Sequence, residues 1–170
     1  AGKYVLAIDQ GTTGTTVILF NRSSEMVGKV YEEFTQHYPR PGWVEHDAQE
    51  IWEGTKNLLE RVFEETGVQP SQVAAIGVTN QRETVVLWDR RTGEPVTRAI
   101  VWQCRRTAGI CDELRSRGLE PTFQEKTGLV LDAYFSGTKL KWIFDHYPEL
   151  KQRARQGGLA FGTIDSWLIY

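Results

Sequence analysis

Cysteine is nearly missing from this 170-residue chain, which carries two, Cys104 and Cys111, seven positions apart. On one helix they would share a face two turns apart, too far for a disulfide, and no further cysteine or nearby histidine completes a zinc set. The expectation is two reduced, small, apolar residues in a reducing, cytoplasmic setting. An excess of one charge is missing too. Twenty Lys and Arg stand against 22 Asp and Glu, interspersed, for a net charge of −2. No basic block calls for nucleic acid, and no acidic tail calls for a charged partner. Long hydrophobic runs are also lacking. The opening AGKYVLAID holds only a short apolar run before Asp9, too short for a signal-peptide core, and nothing later approaches the roughly 18 apolar residues of a membrane span. Internal repeats and low-complexity tracts are not seen either.

What remains is an ordinary globular composition, 40% hydrophobic and 25% charged, with the length of one domain or of one domain with an insertion. YVLAID, TTVILFN and VGKVYEEF read as three strands with tight connections, and connections this short require antiparallel neighbours. Asp47 then opens a helix with Glu50 at its third position, a capping box. Ile51, Thr55, Leu58, Leu59, Val62 and Phe63 share one face, and Gly67 ends it. VAAIGVT (73–79) reads as a buried strand, with further strands at Thr84–Asp89 and Ala99–Trp102. From Thr107 onward the pattern is mostly helical, broken at Gly118 and Gly128. GTKLKWIFDHY is stopped by Pro148, LAFG is a short strand, and TIDSWLIY opens another helix that ends without a cap. A truncated domain is therefore expected. Three antiparallel strands, a helix and a buried strand, followed by α/β units and a largely helical insertion, resemble the α/β ribonuclease H-like, actin-type ATPase arrangement.

Three constellations carry chemistry. In DQGTTGT, Asp9 ends an apolar strand where a charge needs a partner. Gly11 and Gly14 free the backbone, and the threonines at 12, 13, 15 and 16 offer amides and hydroxyls, an anion nest beside a carboxylate able to hold Mg²⁺. The alternative is a hairpin turn with solvated threonines. In TNQRET, Arg82 donates and Glu83 accepts, a pairing that suits the neighbouring hydroxyls of a neutral polyol. To serve one ligand both must lie on a loop, since strand neighbours point apart. A surface ion pair is the competing account. Trp102 and Tyr134, each beside polar residues, can cover the carbon chain of a triol and hydrogen-bond it, or can be core aromatics. His46 with Asp47 is rejected as a metal site because Asp47 caps a helix; His37 and His146 are unassigned.

AIDQGTT, YPRPGWVEHD, AAIGVTNQRET, AIVWQCRRT, TGLVLDAYFSGTKLKW and FGTIDSWLI together resemble the glycerol kinases of the FGGY carbohydrate kinase family. The resemblance implies that residues 1–170 are the N-terminal domain of a longer kinase that closes with a second domain around ATP and Mg²⁺. It implies that Arg82, Glu83, Trp102 and Tyr134 contact glycerol, that Asp9 places magnesium, and that Thr12, Thr13 and Gly14 line the phosphate path. The γ-phosphoryl group of ATP would pass to a terminal hydroxyl, giving glycerol 3-phosphate. The general base is implied to lie in the second domain. Asp132 and Asp165 do not match it, so no catalytic base is assigned here. The whole protein is implied to be a homo-oligomer. At Thr16 the family usually has an arginine that meets the nucleotide's phosphates, so a weakened phosphate contact is expected there. A non-catalytic polyol- or phosphate-binding module, or another FGGY sugar kinase, is the alternative function.

Overall fold

Alternating apolar residues in the first three segments dictate a sheet with one covered face. The computed structural model describes residues 3–170, and the chain divides into two units. The first runs to Thr35, resumes over Asp47–Gln81 and closes with Ile164–Tyr170. In it, β1 (Tyr4–Gln10), β2 (Gly14–Asn21) and β3 (Met26–Glu33) form an antiparallel meander, with Ile8 opposite Val17 and Val17 opposite Val30. Leu6, Ile8, Val17, Leu19 and Val30 turn to the covered face, where α1 (Ala48–Thr66) packs Leu58 and Val62 onto them. Asp47 caps α1 by accepting the Gln49 and Glu50 N–H groups at 2.9 and 3.3 Å, and Gly67, at φ 69°, ends it. The expected capping box is half formed. Glu50 turns outward instead, its Oε1 accepting the Thr35 N–H at 2.9 Å and the Thr35 hydroxyl at 2.8 Å.

A 3-10 turn (Pro70–Gln72) returns the chain to a strand parallel to β1. With β4 (Glu45–His46) belonging to the second unit, this strand is β5 (Val73–Asn80), and the sheet order is β3-β2-β1-β5. The expectation of a buried strand is corrected here. β5 is a strand, but it lies at the sheet edge with most of its residues exposed, Ile76 at 59%. An apolar run predicts a strand that two layers would cover, and this unit sets only a short helix, α6 at Ile164–Ile169, against it. In unit one α6 is anchored by Trp167, whose Nε1 donates to Ala48 O at 3.0 Å.

The second unit is Gln36–His46 with Arg82–Thr163, and its part from Thr107 onward is mostly helical, as the sequence pattern implied. Two short antiparallel ribbons pair β4 with β7 (Ala99–Ile100) and β6 (Val86–Asp89) with β8 (Leu159–Gly162). Around them lie α2 (Ala108–Ser116), α3 (Glu120–Thr127), α4 (Ser136–His146) and α5 (Pro148–Arg155). Val85, Leu87, Ile100, Val101, Trp142 and Ile143 are the centre of its core. Pro148 does more than stop α4. It starts α5, where its missing N–H would have had no helical acceptor anyway. The premise of one helix for both cysteines fails, since α2 begins at Ala108 and Cys104 precedes it; both thiols are nonetheless buried and free. His46 is buried with its Nε2 2.7 Å from Gln36 Oε1, and His146 stacks on Trp142, which accounts for both without a metal. Among the described residues no helix is long and apolar enough to cross a membrane.

Candidate active site

In the first unit, Gly11–Thr13 connect β1 to β2, and the Gly11 N–H closes the turn on Gly14 O at 2.9 Å. That bond takes one amide out of any anion nest in the loop. Sequence reasoning missed what holds the loop from below. Gln10 is fully buried, its Nε2 donating to Gly11 O at 2.9 Å, while its Oε1 accepts from Gln81 Nε2 at 3.0 Å. Burying an amide is tolerated only with its bonds made, so this pair ties the loop to the end of β5. Gly14 is buried, and a Cβ there would lie 2.5 Å from Tyr31 Oη and 2.6 Å from Glu32 O. Close approach of β3 therefore accounts for this glycine.

Asp9 is exposed, on the sheet face opposite α1 and directly across from Thr16 in the β1–β2 register. The expected cost of a buried charge at Asp9 thus does not arise. Thr13 is exposed and Thr12 half-buried, so two hydroxyl-bearing residues and one carboxylate occupy the loop and the strand end that leads into it. Among the described residues no three metal-ligating side chains cluster. A single accessible carboxylate suits magnesium, which keeps waters and phosphate oxygens as its other ligands, better than a metal that demands an all-protein cage.

In the second unit, Arg82 and Glu83 lie on a turn before β6, as their joint service to one ligand requires. Glu83 has φ 68°, the left-handed region that a residue with a Cβ seldom enters. It is held there from α4. Ser136 donates its N–H to Glu83 Oε2 at 3.1 Å, and its hydroxyl is shared between that oxygen at 2.9 Å and the Glu83 carbonyl at 3.0 Å. The carboxylate thereby sits at the N-terminus of α4, where the helix field favours negative charge. Glu83 and Arg82 do not pair with each other. Arg82 is exposed and makes no ion pair among the described residues.

The neighbouring Thr84 hydroxyl accepts the Trp102 N–H at 3.2 Å, which fixes Trp102 relative to the turn. Trp102 and Tyr134 meet edge to face with ring centroids 5.6 Å apart and remain half-buried. The structure thus brings Glu83, Trp102 and Tyr134 onto one bonded framework, with Arg82 on the same turn. Asp132 braces that framework, its Oδ1 accepting the Tyr134 N–H at 2.7 Å and Arg105 Nη1 at 2.9 Å. Burial would raise its carboxyl, but that N–H and the Arg105 guanidinium outweigh burial and hold it below the usual carboxylate range. Ser136 was not singled out in the sequence. The available signal was a serine opening an amphipathic helix directly after Tyr134-Phe135.

The model of the FGGY family of carbohydrate kinases, N-terminal domain, matches residues 4–170. The chain belongs to the FGGY family. This FGGY chain is 60% identical over 168 residues to a glycerol kinase of Carboxydothermus hydrogenoformans, covering 99% of the chain and 34% of that protein. Among solved structures it is similar to a Plasmodium falciparum glycerol kinase crystallised with ADP, with a TM-score of 0.91, 34% identity, and coverage of 98% of this chain and 33% of that one. A gluconate kinase of Lactobacillus acidophilus, 21% identical with a TM-score of 0.87, shares the fold over 99% of this chain and 33% of its own. The α/β, actin-type ATPase expectation is met. The FGGY chain spans about a third of the length of the curated relatives it matches.

Proposed function

We propose that this chain is the glycerol- and phosphate-binding N-terminal part of an ATP-dependent glycerol kinase, with the adenine pocket and general base supplied by the rest of a longer protein. The observation that carries the reading is Glu83 in the left-handed region, its Oε2 fastened to Ser136 beside the Trp102–Tyr134 pair. Strain of this kind persists where function requires a side chain in one place. Glu83 Oε1 stays available to accept from a hydroxyl, Arg82 donates, and the two aromatic rings cover a short carbon chain. The exposed edge of β5 supports a longer protein, since native proteins cover or blunt such edges.

In this reading Thr12 and Thr13 donate to phosphate oxygens, and Asp9 holds Mg²⁺ directly or through water. Magnesium, when bound, neutralises phosphate charge. A terminal glycerol hydroxyl bonds to the γ-phosphorus as the bond from that phosphorus to the β-phosphate oxygen breaks. The hydroxyl proton goes to the base, and ADP and glycerol 3-phosphate leave. Two buried, unbridged cysteines fit a reducing, cytoplasmic setting. The test is ATP-dependent turnover by the full-length protein, with glycerol, gluconate and pentuloses offered in parallel. Turnover of glycerol at the highest kcat/KM is expected; preference for a sugar would move the chain to another branch of the family.

A non-catalytic polyol binder is the second reading, and Thr16 favours it. Thr16 lies across from Asp9 on the face away from α1, carrying a hydroxyl where a phosphate-facing arginine is expected. A charge-assisted bond to phosphate contributes about 1.5–3 kcal/mol. Thr16→Arg in the full-length protein should therefore raise kcat/KM for ATP by about tenfold or more, with KM for glycerol little changed. An ATP dependence indistinguishable from wild type removes Thr16 from the phosphate path. Glycerol binding without turnover in either protein establishes the binding module.

A further inference from the structure

Lys139 has no solvent exposure and is the largest fully buried side chain described in the chain. Burying an ammonium is expensive unless its protons are matched, and here they are. One turn into α4, its Nζ reaches back to the segment that enters the helix and donates to three successive carbonyls. Ala133 O lies at 2.5 Å, Tyr134 O at 2.6 Å and Phe135 O at 3.1 Å. An ammonium has three protons and no acceptor, so the set is complete. Three consecutive carbonyls do not turn toward one point in regular structure, because strand carbonyls alternate and helical ones run parallel. The backbone of 133–135 is wound around the cation. That backbone carries Tyr134, and it leads into Ser136, which holds Glu83.

We propose that Lys139 is a positioning residue of the polyol site, whose ammonium shapes the Ala133–Phe135 segment and so sets Tyr134 against Trp102 and Ser136 under Glu83. The inference rests on the polyol reading of Tyr134 and Glu83 given above.

The same geometry makes the site responsive to pH. Burial, partly opposed by Cys104, Glu83, Asp132 and Cys111 around it, lowers the Lys139 pKa from 10.5 to about 8. Above that pH the neutral amine has two N–H donors for three carbonyls, and the segment loosens. Fold stability moves the other way. Between pH 8 and 10.5 the unfolded chain holds a proton the folded chain has lost, so this titration favours the folded state as pH rises. Loosening of the loop on going alkaline is thus distinguishable from denaturation.

The test uses the full-length protein labelled with 5-fluorotryptophan, whose indole does not titrate in this range. The ring of Trp102 packs on Tyr134 and reports its placement, the Trp102 resonance being assigned through Trp102→Phe. In wild type this resonance should move between pH 7 and 9.5 with a midpoint near 8, and KM for glycerol should rise about tenfold over the same range while KM for ATP holds. Lys139→Met should show the alkaline resonance position at every pH, with KM for glycerol raised about tenfold at pH 7 and no longer pH-dependent. A wild-type resonance that does not move overturns the inference even if Lys139→Met fails to fold. So does a Lys139→Met resonance that coincides with wild type at pH 7. A resonance that moves while KM for glycerol stays constant overturns the placement of Tyr134 on the polyol and, with it, the part of Lys139 in that site.

Discussion

Glu83→Ala in the full-length protein is expected to lower kcat/KM for glycerol by about a hundredfold or more, with KM for ATP nearly unchanged. Glu83 Oε2 is committed to Ser136, which leaves Oε1 for substrate. A hydrogen bond to a charged acceptor contributes about 1.5–3 kcal/mol, and polyol hydroxyls can offer that oxygen two donors. Glu83→Gln keeps the shape and one acceptor oxygen, and should lose about tenfold. Glu83→Gly separates function from stability. It relieves a left-handed residue, worth about 1–2 kcal/mol, against the loss of the Ser136 bonds, so its melting temperature should stay close to wild type while activity falls as in Glu83→Ala. Activity of Glu83→Ala within threefold of wild type would remove Glu83 from the substrate site and leave it as a helix cap for α4.

The Arg82-Glu83 turn was legible because two adjacent residues with complementary chemistry, just past an apolar run, can serve one ligand only from a loop. Its φ of 68° was not, since nothing in TNQRET marks glutamate for the left-handed region. The α1 boundaries were readable from Asp47 and Gly67, whose roles are local. The capping box is not completed at Glu50 because its carboxylate accepts instead from the N–H and hydroxyl of Thr35, fifteen residues away in sequence. In β5 the apolar run VAAIGV correctly announced a strand, yet composition does not say whether the covering layers lie within the chain. Lys139 and Arg106 were invisible for one reason. A cation in an amphipathic or polar stretch reads as solvated surface, and its burial is decided by carbonyls, carboxylates and rings that other segments bring.

Arg106 is where that blindness has the largest consequence for stability. Its side chain is 2% exposed and that of its partner Glu45 16%, with Nη2 and Oε1 2.7 Å apart. The guanidinium carbon sits 3.9 Å from the Trp43 ring centroid and 4.7 Å from that of Trp142, and Nε donates to Cys104 Sγ at 3.1 Å. The indoles themselves meet edge to face at 5.2 Å. One planar cation therefore joins the Trp43–Glu45 segment to α4 and to the loop before α2. Arg106→Leu strands the Glu45 carboxylate in a desolvated site and removes two cation–π contacts, so a loss of about 3–5 kcal/mol is expected in chemical denaturation of the full-length protein. Arg106→Lys should lose part of this, because a point charge on a flexible stem cannot face two rings and a carboxylate at once. The double variant Glu45→Gln with Arg106→Leu should recover a large part of the loss, since most of the single variant's cost is the unpaired charge rather than the absent attraction. If the double variant is as unstable as Arg106→Leu alone, the rings and not the ion pair hold the segment. The second unit would then be stabilised by a guanidinium packed as a flat apolar plate, with Glu45 serving only to keep it in place.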